Sequence, residues 1–135
     1  MRDIRTALRT HLLSDAQIAA AVVARVYPVV LPQGQKLASI VYTRISGLTD
    51  YKMEGPSGYA RSRMQIGCWA PTLDAASSLA NLVKDALSGF AGPMGTTTPA
   101  VVVQGIFCED EREQWDDIAE MYGVSRDYFI HHEER

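Results

Sequence analysis

The clearest pattern along the chain is the strict alternation in Tyr59–Ala70, which reads YARSRMQIGCWA. Ala60, Ser62, Met64, Ile66 and Cys68 fall on one side, and Arg61, Arg63 and Gln65 on the other, with Trp69 at the far end. Side chains alternate across a strand, so this stretch predicts a half-buried β-strand with one face on a core. The second clear pattern is helical. Thr72 is placed to cap a helix over Leu73–Ser88, whose Ala76, Leu79, Leu82, Val83, Ala86 and Leu87 form one apolar stripe ending at Gly89. Packing that stripe on the strand predicts a shared core of Met64, Ile66, Leu79, Leu82, Tyr122 and Val124.

The remaining elements are weaker. Ile4, Ala7, Leu8 and Leu12 form a stripe for a first helix capped by Asp3, with Arg2, Arg5 and Arg9 on a solvated side. Ser14 and Gln17 have capping-box spacing for a short second helix that buries Ile18, Ala21 and Val22. Arg25–Pro28 reads as extended, because a proline biases the residue before it away from the helical region. Val29–Ala38 is a connector, and Ser39–Ser46 is a strand rich in β-branched residues. Gly47–Gly58 reads as a long polar loop around a GPSG turn, and Phe90–Pro99 as another loop. Ala100–Cys108 is a strand, Glu109–Asp117 an acidic run, and Ala119–His132 a last strand whose apolar face Arg126 interrupts.

The order α-α-β-β-α-β-β has no repeated strand–helix–strand unit. It predicts an α+β fold, an antiparallel sheet of about four strands with helices on one face, as a single domain over residues 1–135. Composition agrees: 47% apolar and 21% charged residues in 135 are those of a globular domain. Arg2, Asp3 and Arg5 interrupt any leader-like start, and the longest apolar run is too short for a membrane span. The two cysteines, Cys68 and Cys108, are expected to be reduced, buried and neighbours in the sheet.

Net charge is −3, unevenly spread. Residues 1–63 hold nine Lys/Arg and four Asp/Glu (+5), and residues 64–135 hold four and twelve (−8). The acidic second half argues against nucleic-acid binding. No catalytic constellation is legible. Ser57 sits in a turn, and neither cysteine has a C-x-x-C partner. The acidic run lacks calcium-loop spacing, and His131 and His132 point to opposite faces of a strand. The expectation is therefore no catalytic, cofactor-binding or metal-ligating residues.

Several short motifs follow one another along the chain: R-V-Y-P, L-P-Q-G, I-V-Y-x-R-I-S-G, G-P-S-G, R-x-Q-I-x-C-W-A, Q-G-I-F-x-E-D-E-R and Y-x-V-S-x-D. From Leu8 to His132 the chain resembles the small tail-completion proteins of long-tailed bacteriophages and prophages, the tail-terminator or tail-to-head joining type. The resemblance implies an α+β structural protein without cofactor or catalysis. It implies a ring, typically of six subunits, that caps the tail tube and gives the head its docking surface. The partners would be its own copies, the tail tube protein and a head-completion or connector protein. It would be found in the host cytoplasm during assembly and then at the head-proximal end of the tail. Alternatives are another head–tail connector or neck ring protein, or a small-ligand or nucleic-acid-binding α+β domain.

In a ring each subunit shows different faces to its two neighbours. The candidate basic pole is Lys52, Arg61 and Arg63, and the candidate acidic pole is Glu109, Asp110, Glu111, Glu113, Asp116 and Asp117. Tyr51 and Met53 against Trp115 would supply apolar contact.

Overall fold

The computed structural model describes residues 4–95 and 101–133. Three helices, α1 (Ile4–Ser14), α2 (Ala16–Val22) and α3 (Leu73–Leu87), accompany six strands. These are β1 (Val26–Pro28), β2 (Ser39–Lys52), β3 (Gly55–Ala70), β4 (Gly92–Met94), β5 (Val101–Asp116) and β6 (Met121–Glu133). They form one sheet in the order β1-β2-β3-β6-β5-β4, antiparallel except for the β1–β2 pair. The fold is α+β with helices on one face, but the sheet is mixed and has six strands rather than four. The two strands beyond the four are β1, where Arg25–Pro28 reads as extended in the sequence, and β4; both have three residues, too few to display alternation, and each contains a proline. Proline is tolerated there because an edge strand has one side without ladder partners.

The alternation in β3 holds. Ala60, Ser62, Met64, Ile66, Cys68 and Ala70 are all buried, while Arg61 is exposed and Arg63, Gln65 and Trp69 are intermediate. The buried side faces the helices. Met64, Ile66 and Cys68 join Leu79, Ala80 and Val83 of α3, Ile4, Leu8 and Leu12 of α1, and Val124, Tyr128 and Ile130 of β6 in one core. Leu82 packs at its margin. Tyr122 does not belong to it. It is 39% exposed and meets Trp115 in a tilted ring contact near the end of the sheet, at the margin of the helical cover where Leu73 begins α3.

Local chemistry sets the helix ends. Thr72 Oγ1 accepts from the Ala75 amide, and Gly89 stands at φ +79°, where only glycine is unstrained. The α2 cap is Asp15, whose carboxylate accepts from the Gln17 and Ile18 amides; Ser14 instead donates to the His11 carbonyl. The predicted α1 cap, Asp3, lies outside the described residues.

The largest departure is at Gly47–Gly58. The predicted long loop is a continuation of β2 and β3, which pair from Ser39↔Trp69 to Lys52↔Gly55 around a turn at Met53–Glu54. This part of the hairpin extends past the core and meets water on both faces, so backbone pairing forms it without apolar alternation. The acidic run is likewise strand through Asp116, the second half of β5, with Asp117 opening the turn to β6. β4 lies within the predicted loop Phe90–Pro99, of which residues 96–99 are outside the described set.

Both cysteines are free, but only Cys68 is fully buried. They are not neighbours: Cys68 pairs with Val124 on β6 and Cys108 with Tyr128.

Candidate functional site

The registers place the two long hairpins at opposite ends of the sheet. Tyr59 of β3 stands beside Glu133, whereas Ala70 stands beside Tyr122. The β2–β3 turn therefore lies at one end and the β5–β6 turn at the other. Tyr51, Lys52 and Met53 occupy the first end, with Met53 fully exposed and Tyr51 69% exposed. Trp115, Asp116 and Asp117 occupy the second. Within one molecule these groups are separated by the length of the sheet, so any contact between them joins two molecules.

Much of the predicted charge has partners inside the chain. On the face away from the helices, Asp127 is buried between two cations, accepting from Arg63 Nη2 at 2.6 Å and Arg112 Nη2 at 3.0 Å. Burial pushes its carboxyl up, but the hydrogen bonds from Arg112 and Arg63 outweigh burial and hold its pKa below the usual range. Arg112 also holds Asp110 at 2.6 Å. The guanidinium carbons of Arg61 and Arg63 lie 4.6 and 5.8 Å from the Phe129 ring centroid, a cation–π arrangement. Lys52 is flanked along the chain by Asp50 and Glu54.

On the helical face Arg126 donates to Glu111, to the Ala80 carbonyl and to Asn81 Oδ1. This is how a cation stands on the apolar face of β6: it ties β6 and β5 to α3. Burial draws its pKa down, and the bond and charge of Glu111 outweigh that and raise it. Asp116 accepts from the Ile118 and Ala119 amides and shapes the β5–β6 turn, and Trp115 Nε1 donates to Asp117. Glu109 and Glu113 are exposed and have no ion pair among the described residues. Thus Asp127, Arg112 and Arg126 organise the charged surface although the sequence did not single them out as site residues. The one signal was Arg126 in an apolar phase, which requires buried partners.

A cavity of about 420 Å³ opens on the face away from the helices. Its walls include Val29, Thr43, Gln65, Trp69, Asp116 and Ser125. The Trp69 ring lies against Gly123, where a Cβ would meet it at 2.8 Å. The connector after β1 crosses this face, and Lys36 Nζ donates to the Ala119 carbonyl at the β5–β6 turn. The polar groups here are hydroxyl, amide and a carboxylate held by backbone amides, without a paired nucleophile and base. No group of three or more His, Cys, Asp or Glu among the described residues is placed to hold a metal ion. No described helix is long and apolar enough to cross a membrane.

The described residues thus form an α+β fold whose conspicuous surface features are two hairpins at opposite ends of the sheet and a charged sheet face. These are features suited to joining other protein chains. Residues 6–119 match the family model described as tail completion protein gp17, and the chain belongs to this family. The family makes it a structural protein of phage tails. A chain of the virion of a native gene transfer agent particle has the same fold, with a TM-score of 0.73 at 19% identity over 93% of this chain and 91% of that one. No curated protein matches.

Proposed function

We propose that this protein is the tail-terminator or tail-to-head joining subunit. Six copies form a ring that caps the finished tail tube and presents the surface on which the filled head docks. Its partners in this reading are its own copies, the tail tube protein and a head-completion or connector protein. It acts in the host cytoplasm during assembly and remains at the head-proximal end of the tail. The observation that carries the reading is the family match over residues 6–119. The placement of the two hairpins at opposite ends is compatible with it, because a ring needs two different contact surfaces on each subunit. No catalysis or cofactor is invoked.

The test is deletion of the gene in the producing phage or prophage, with electron microscopy of the lysate. Tails of irregular length, or complete tails detached from full heads, are expected, with restoration by the gene supplied in trans. Normal-length tails joined to heads in the deletion would overturn the assignment.

A further inference from the structure

We infer that copies join end to end, the β2–β3 hairpin tip of one subunit seating in a groove beside the β5–β6 turn of the next. This rests on the ring reading above and names its contact. The groove has a volume of about 530 Å³ and lies between the connector after β1 and that turn. Leu31, Pro32, Ile118 and Ala119 give it apolar walls. Its size falls in the range of about 300–1,000 Å³ typical of binding pockets. The chain itself sets the walls. Val29 opens the connector at φ +67°, its amide donating to the Tyr42 carbonyl, and Lys36 Nζ ties the connector to the Ala119 carbonyl. A β-branched residue at positive φ is strained and persists only where its surroundings fix it. The groove is therefore formed before a partner arrives, yet it leaves Ile118 86% exposed to water.

The other end of the sheet carries a matching tip. Met53 is fully exposed in the β2–β3 turn, with the exposed Tyr51 beside it. These side chains bury nothing in their own molecule. Within one chain the tip and the groove are separated by the sixteen residues of β3, roughly 50 Å at about 3.3 Å per residue. A tip seated in the groove therefore belongs to another copy.

Charge selects that copy as the occupant. Asp116 lines the groove. Its Oδ1 accepts from the Ile118 and Ala119 amides, and its Oδ2 has no partner among the described residues. Lys36, also in the lining, donates only to a carbonyl. On the tip, Lys52 and Glu54 stand on either side of Met53, both exposed and neither ion-paired among the described residues. With Met53 in the groove, Lys52 can meet Asp116 while Glu54 meets Lys36. The reversed orientation sets like charge against like, so the two pairs fix how the tip enters. Apolar burial supplies the affinity, since exposed ion pairs add little to it. The contact joins two different patches, so successive copies form a ring wherever the rotation between neighbours closes.

Disulfide trapping tests the contact. Met53 and Ile118 are both exposed, so replacing them leaves the core intact. In a Cys108→Ser background, purified and oxidised particles of Met53→Cys/Ile118→Cys should give a ladder of multimers of this chain on a non-reducing gel. Either new cysteine alone should give nothing beyond a dimer, because Cys68 is buried. Separately, Lys52→Glu co-expressed with the wild-type chain should enter particles about three- to tenfold less often. Adding Asp116→Asn, which keeps the oxygen that accepts the two amides, should restore part of that loss. Particles with several copies but no ladder, a Met53→Cys thiol linked to a different protein instead, or incorporation indifferent to Lys52→Glu would each overturn the contact and leave the ring standing. A single copy per particle would overturn the ring reading and this contact together.

Discussion

Asp127 is the residue whose removal best tests the charged face of the sheet. Its carboxylate side chain is 2% exposed and accepts from two arginines that are themselves 40% and 42% exposed. Hydrogen bonds to a charged group contribute about 1.5–3 kcal/mol each. Solvation of the exposed guanidinium groups and burial of the carboxylate both reduce that sum. Asp127→Asn keeps the volume, removes the charge and turns an amide donor toward a guanidinium. The expected loss is about 2–3 kcal/mol at pH 7. Urea unfolding is the assay, since guanidinium chloride would screen the pairs being measured. The pH dependence has a definite sign. The folded-state pKa is lowered from an ordinary 3.8, so the contribution is fully present above that value and is lost as pH falls through the lowered one. The stability difference between wild type and variant should therefore be constant from pH 6 to 8 and shrink below about pH 4. A difference under about 0.5 kcal/mol at pH 7 would refute the reasoning, as would one that does not diminish in acid.

Leu79 is 3% exposed in the contact between α3 and the sheet, and Leu79→Ala should cost about 2–5 kcal/mol in the same assay; a loss under about 1 kcal/mol would reject that packing. Burial pushes the Cys68 thiol up to about 12, against the opposing charge of Arg126, so at pH 8 native Cys68 should label far more slowly than half-buried Cys108. Labelling of native Cys68 at the rate of the denatured chain would contradict its burial.

The sequence by itself determined the elements that bury a face. Alternation from Ala60 to Cys68 and the apolar stripe of α3 are imposed by the core, so periodicity reveals them without coordinates. Family membership was legible too, because its motifs are turns and strand segments whose order survives in the chain. Elements that bury nothing were not legible. Lys52 and Gly55 close a hairpin in water, and the acidic half of β5 is strand because β6 pairs with it, which no local pattern expresses. β1 and β4 do place Val26 and Met94 in the core, but three residues are too few to show a period, and each is a strand because a longer neighbour offers an edge. Tyr122 followed the apolar phase of β6, yet it lies at the margin of the helical cover and is 39% exposed, and periodicity carries no information on where a helix's cover stops. The same holds for charge. A count distinguishes a basic half from an acidic one, but only the register brings Arg63 and Arg112 to Asp127 and Glu111 to Arg126, compensating charges that are remote in sequence. Pairing across strands is a property of the sheet, and the tertiary structure alone decides which charges remain free to meet another molecule.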